Sequence, residues 1–314
     1  MMKVIAKTGN DELAMVYVAQ SDSGKLLEFV ESVPPPYTRD QKWVLIISTL
    51  FGCPIKCNFC DAGSYFNGKP TKDELFFQID YLVESRFGGK SVPSGKFKIQ
   101  FSRMGEPTLN SAVLDVLREI PSRYDAPGFY PSLSTIAPKG SEDFLNDLIE
   151  IKNELYNERF QFQFSIHSTD SEQRNWLIPV KTWDFDKMAE FGERFHQGNK
   201  QKTTLNFALS NESIVEPGVL LQHFNPEKFL IKLTPVNPTY KALKNKLDSP
   251  LTRSSKHYTI IDELKYSGYE VIVSVGDLAE NNIGSNCGQH VMNFLKKNVT
   301  LENSYTFPLQ KSIS

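Results

Sequence analysis

Cysteine is scarce in this chain, with only four in 314 residues. So few thiols cannot form a disulfide framework over such a length, which excludes a disulfide-stapled secreted domain. Long apolar runs are missing as well. No stretch reaches the roughly 18 residues of a bilayer span, and the opening MMKVIAKTG lacks the apolar segment of a secretory signal. The expectation is a cytoplasmic protein with no membrane partner. Nor does charge of either sign prevail: 35 Lys plus Arg stand against 37 Asp plus Glu, a formal net charge of -2. Bulk attraction to nucleic acid is thereby excluded, and any RNA contact has to be a local patch. Low-complexity tracts, heptads and internal repeats are also lacking. At 40% hydrophobic residues and 23% charged, the composition is that of a folded globular chain.

What is present is an alternation. MVYVA from Met15 and KLLEFVES from Lys25 read as short strands, closed by the prolines 34, 35 and 36. Further β-rich runs begin at Trp43, Lys96, Tyr130, Phe160, Thr203, Phe229 and Tyr269, with helical patterns between them. Thr71 and Glu74 form a T-x-x-E capping box ahead of Leu75, Phe76, Ile79, Leu82 and Val83 at helical spacing. Phe144, Leu145, Leu148 and Leu155 mark a second apolar face, and Gly268 stops a helix that begins near Ser255. Strands alternating with helices predict an α/β fold of parallel βαβ units, a partial or complete (β/α) TIM-like barrel rather than a doubly wound sheet, with a short N-terminal β extension. The division expected is an extension over residues 1–40, a barrel core over 41–297 and a polar tail over 298–314. In a barrel, chemistry belongs at the C-terminal ends of the strands.

Three of the four cysteines, Cys53, Cys57 and Cys60, stand together as CPIKCNFC directly after the strand from Trp43. Three thiolates in one loop can hold three irons of a [4Fe–4S] cluster, and the missing fourth ligand leaves one iron open to a substrate. A zinc site completed by Cys287, more than two hundred residues away, is the competing reading, and three unrelated core cysteines is another.

C-x3-C-x2-C with Phe59 before the last cysteine resembles the radical S-adenosylmethionine superfamily. In order along the chain, GCPIKCNFCDAG, FSRMGEPTLN, SLSTIAP, FSIHSTDSEQRNWLIPV, KLTPVNP and NIGSNCGQ are together similar to the RlmN/Cfr family of radical methyl synthases. Members of that family methylate C2 or C8 of an adenine in RNA. The similarity runs from Glu31 to Phe294 and implies a radical S-adenosylmethionine methyltransferase with two cofactors, a [4Fe–4S] cluster on Cys53, Cys57 and Cys60 and S-adenosylmethionine. Cofactor contacts are implied at Gly105 and Glu106, at Ser134, at Ser165, Ile166 and His167, and at Asn237. Cys287 corresponds to the cysteine that carries the methyl group, and Glu31 to the general base. The implied partners are an adenine of rRNA or tRNA and an electron donor such as flavodoxin or ferredoxin.

Two departures accompany the likeness. The family has a further cysteine seven positions before the first cluster cysteine, which is Ile46 here. The family also has a sizeable N-terminal domain for RNA, whereas thirty residues precede Glu31. Two other readings therefore stand beside the first: a radical enzyme acting on a small molecule, nucleotide or peptide, and a non-catalytic iron–sulfur or zinc protein. The run KALKNK from Lys241 reads as a solvated charged face rather than a phosphate contact.

Overall fold

The computed structural model of the protein describes residues 2–197, 200–249, 251, 259–286, 290–291, 307 and 310–311. The chain forms two compact units. One comprises Met1–Lys56, Asp61–Leu133 and Gly276–Ser314, the other Cys57–Cys60 and Ser134–Val275.

The first unit opens with a meander of four antiparallel strands, β1 (Met2–Asn10), β2 (Ala14–Ser21), β3 (Leu26–Ser32) and β4 (Lys42–Ile47). From β4 onward the pairing becomes parallel. Helix α1 (Lys72–Phe87) leads to β5 (Lys96–Phe101), which lies parallel to β4 with Trp43 opposite Phe97 and Ile47 opposite Phe101. Helix α2 (Ala112–Arg123) leads in turn to β6 (Phe129–Thr135), whose residues up to Leu133 pair in parallel with β5. Parallel neighbours need a crossover, and α1 and α2 supply it. The capping box is formed as expected: Thr71 Oγ1 accepts from the Glu74 N–H, and the Glu74 carboxylate accepts from the Thr71 N–H. Leu75, Phe76, Ile79, Leu82 and Val83 are all buried. From the C-terminal stretch, the helix Leu278–Ile283 and the strand Gln310–Lys311, which pairs with β1, belong to this unit.

The second unit repeats strand and helix. After α3 (Glu142–Ile151) come β7 (Gln161–Ser165), α4 (Ser171–Leu177) and α5 (Phe185–His196), then β8 (Thr203–Leu209) and α6 (Pro217–His223). β9 (Phe229–Pro235), α7 (Tyr240–Lys244), α8 (Thr259–Tyr266) and β10 (Glu270–Val273) complete it. β7, β8, β9 and β10 are paired in parallel in that order. Its core is aromatic: Phe162 lies 4.8 Å from both Phe164 and Phe195 between ring centroids, and Phe191 and Phe160 extend the cluster. The α/β class with parallel strands is thus present in both units. No helix among the described residues is long and apolar enough to cross a membrane.

One expected core residue lies outside. Leu155 was grouped with Phe144, Leu145 and Leu148, yet it is 41% exposed while those three are buried. After α3 the helix widens into a π turn over Lys152–Tyr156, and a wider turn shifts the phase of everything that follows. Lys152 and Tyr156 take the inward places, and Lys152 Nζ donates to the Phe195 and Gln197 carbonyls at the end of α5. Leu155→Ser should change stability by less than about 0.5 kcal/mol, whereas Leu148→Ala should lose about 2–5 kcal/mol; urea denaturation of the two variants checks both values.

Candidate cofactor and methyl-transfer site

The cysteine loop begins where β4 ends. Gly52 has φ +86, and a Cβ there would lie 2.1 Å from the Tyr65 carbonyl oxygen, so only glycine admits this turn. Cys53 follows, its N–H donating to Tyr65 O at 3.0 Å. It is a free, buried thiol, and burial pushes its pKa up to about 11. Cys57 and Cys60 are half-buried, and the Cys60 N–H turns back onto Cys57 O at 3.2 Å. Among the described residues no three His, Cys, Asp or Glu side chains are grouped as a metal site. What fits a cluster here is the donor set: three cysteine thiols within eight residues, the ligand type that iron–sulfur clusters take.

Within the first unit, the segment after β5 is laced to the end of β4. The N–H groups of Thr49 and Leu50 both donate to Met104 O, at 2.8 and 3.0 Å, and Asn110 Nδ2 donates to Thr49 O at 3.0 Å. Gly105 has φ +100, and a Cβ would collide with the Leu50 side chain at 2.5 Å. Glu106 is buried, and its Oε1 accepts from the Thr108 hydroxyl at 2.9 Å and from the Thr108 N–H at 3.3 Å. A carboxylate fixed in this way is oriented before any cationic ligand arrives.

In the second unit the expected residues share the C-terminal ends of parallel strands. Ser134 lies at the end of β6, Ser165 closes β7, and Asn237 lies two residues beyond β9. Ile166 and His167 both donate their N–H to Asn206 O, at 2.9 and 3.3 Å. His167 stands in the left-handed region at φ 66. Its Nδ1 accepts from the Ala208 N–H at 3.0 Å, and its ring meets Phe59 edge-on at 4.8 Å. Burial, and then the Arg174 charge, lower its pKa to about 3. Arg174 is itself buried, donates to Thr182 Oγ1, and is lowered by burial to about 10.

Glu31, expected as a general base, is only 2% exposed within β3. Its carboxylate accepts from Tyr17 Oη at 2.7 Å, from Trp43 Nε1 at 3.0 Å and from both Nε and NH2 of Arg86, the latter at 2.6 Å. This arrangement ties β2, β3, β4 and α1 together, and proton transfer at Glu31 would require part of it to open. Ile46 packs against the buried cluster of Leu13, Ala14, Val16, Val30 and Ile283. Cys287 lies outside the described residues.

The segment leading to Cys287 reveals a residue that the motifs did not. Arg103, in the FSRMGEP run, forms an ion pair with Glu28 at 2.6 Å, with both side chains at most 1% exposed. Its NH1 and NH2 groups also donate to the carbonyls of Gly284, Ser285 and Asn286 at 2.7, 2.7 and 3.1 Å. Glu28 Oε2 accepts from the Val291 N–H at 3.1 Å. One buried pair therefore holds backbone on both sides of residues 287–289. Thr239, Lys241 and Asn245 were also missed as loop contacts: they reach the carbonyls of the cysteine loop. Carbonyl capture has no sequence period, so no pattern marks either set.

Arg103→Met should lose about 3–5 kcal/mol, because it strands the Glu28 carboxylate, and adding Glu28→Leu should recover that share of the loss; urea denaturation of the single and double variants decides. His167 has a folded pKa below its free value, so the unfolded chain takes up the proton first. The stability given by the neutral ring is full above about 6.5 and is lost as the pH falls toward about 3. Stability of His167→Asn, a residue that tolerates left-handed φ, should fall less steeply than that of the wild type over this window.

No family model matches the sequence. A probable dual-specificity RNA methyltransferase RlmN of Chlorobium phaeobacteroides is 25% identical over 283 residues, covering 88% of this chain and 74% of that protein. The dual-specificity RNA methyltransferase RlmN of Wolinella succinogenes is 23% identical over 305 residues, covering 91% and 83%. The crystal structure of a radical SAM methyltransferase from Sphaerobacter thermophilus superposes with a TM-score of 0.67 at 17% identity, over 92% of this chain and 80% of that one, which shows the fold. The likeness read from the motifs therefore extends over most of the chain, and this protein is a distant relative of the RlmN-type radical S-adenosylmethionine RNA methyltransferases.

Proposed function

We propose that this protein is a radical S-adenosylmethionine methyltransferase acting on an adenine in RNA. The observation that carries the reading is positional. Each residue matched to the cofactor sits at or just beyond the C-terminal end of its own parallel strand: Glu106 after β5, Ser134 in β6, Ser165 to His167 at β7, and Asn237 after β9. That is where α/β barrels keep their chemistry.

Cys53, Cys57 and Cys60 would hold the [4Fe–4S] cluster, and Glu106, fixed by Thr108, would receive the ammonium of S-adenosylmethionine. Bound there, one S-adenosylmethionine would supply the methyl group and leave as S-adenosylhomocysteine, and a second, with an electron from the cluster, would supply a 5′-deoxyadenosyl radical. The serines 134 and 165 and Asn237 offer hydrogen-bonding groups small enough to leave a strand mouth open. His167, whose Nδ1 already accepts from Ala208, presents Nε2–H as a donor. Cys287 would be the nucleophile that accepts the methyl group, losing its thiol proton as the new S–C bond forms. With Ile46 in the apolar cluster where the family has a cysteine, a sulfur-bound product either would be released by an outside thiol that forms a disulfide with Cys287, or would stay covalently held, or the later chemistry differs. Glu31 would act as a base only after Arg86 has withdrawn from it. The cytoplasm, and a flavodoxin or ferredoxin as reductant, complete the reading.

Cys57→Ala should abolish cluster assembly and cleavage of S-adenosylmethionine, since two thiols cannot replace three; iron and sulfide content with 5′-deoxyadenosine release measure this. After anaerobic reconstitution with methyl-deuterated S-adenosylmethionine, mass spectrometry should find the label on the Cys287 peptide. Cys287→Ala should keep the cluster and transfer no methyl group to RNA. An unlabelled Cys287 beside abundant 5′-deoxyadenosine would favour a radical enzyme of another substrate class.

A further inference from the structure

We infer that Thr239, Lys241 and Asn245, at the two ends of α7 and within it, form a clamp that presets the Cys57–Cys60 loop for its metal, and that Lys241 raises the reduction potential of the bound cluster. The inference rests on the cluster reading given above.

Three successive carbonyl oxygens of the loop are taken by three side chains of one short segment. Lys241 Nζ donates to Cys57 O at 3.1 Å, Asn245 Nδ2 to Asn58 O at 2.6 Å, and Thr239 Oγ1 to Phe59 O at 2.7 Å. Lys241 and Asn245 are four residues apart, which places both on one side of a helical turn. Thr239 is the N-cap of α7, and its hydroxyl accepts from the Ala242 N–H at 3.0 Å while donating to Phe59 O. A hydroxyl has a single proton to give, so this double use fixes its direction. The loop is also held from α4: the Asn58 N–H donates to Leu177 O at 2.9 Å, and Asn58 Nδ2 to Trp176 O at 2.7 Å. Cys57, Asn58, Phe59 and Cys60 are only half-buried, and beyond the Phe59 ring against His167 it is their main-chain partners that position them.

Of the three clamping groups, Lys241 alone carries charge. Its ammonium is hydrogen-bonded to the carbonyl of a cysteine that would ligate iron. Positive charge beside a cluster stabilises its more electron-rich, reduced form. Asn245 and Thr239 hold the loop without that effect, which separates positioning from tuning.

The test uses the full chain. In the metal-free protein, the Thr239→Val, Asn245→Ala double variant should exchange the Asn58 and Cys60 amide protons about tenfold faster than wild type, with amides outside the loop and α7 unchanged. In the reconstituted protein at equal iron and sulfide content, Lys241→Met should lower the midpoint potential seen by electron paramagnetic resonance titration, and Lys241→Arg should restore it. Unchanged exchange in the double variant would overturn the clamp, and an unchanged potential in Lys241→Met would overturn the tuning. A complete cluster in Cys57→Ala would instead overturn the cluster reading itself, and the inference with it.

Discussion

A loop that receives a charged ligand has to be polar, and a polar loop cannot be fixed by burying its own side chains. Its position then depends on which groups take up its main-chain oxygens, because each buried carbonyl needs a partner. In this protein the partners are long side chains rooted in or beside regular structure. Arg103, just past β5, gathers three carbonyls of the segment after the helix Leu278–Ile283, and α7 with its two caps gathers three from the cysteine loop. Arg103 can remain buried only because Glu28 balances its charge. In each unit, then, side chains rooted at a strand end or a helix cap hold loop backbone through its carbonyls.

The meander at the front of the chain has a comparable role for the sheet. Glu31 draws hydrogen bonds from β2, β4 and α1 onto a single carboxylate, where mixed pairing changes from antiparallel to parallel. The motif likeness marked this glutamate as a site residue, and the geometry makes it an anchor as well. Ile46, one strand away, contributes apolar contact where the family has a thiol.

Features that repeat or cap were legible in the sequence. The Thr71 and Glu74 box named the start of α1 to the residue, and the β-rich runs located every strand from β2 to β10, most of them because burial on both faces leaves a continuous apolar signature. β1 went unread, as Lys3 and Lys7 interrupt it with exposed and half-buried positions. Leu155 misled because sequence spacing assumes an unbroken α period, and a π turn carries no compositional mark. In the site, the cysteine triplet and the MGEP and SIH segments were visible as motifs. Arg103 and Lys241 were not: a cation that binds carbonyls looks like any other charge until the chain folds, and the KALKNK run was read as a solvated face.

His167 shows what local backbone geometry decides chemically. Its left-handed φ and the Ala208 N–H at Nδ1 leave the imidazole a single neutral form, with its one proton on the opposite nitrogen. Such a ring is a one-way hydrogen-bonding group. An acceptor placed opposite that nitrogen would be matched, and a second donor would not.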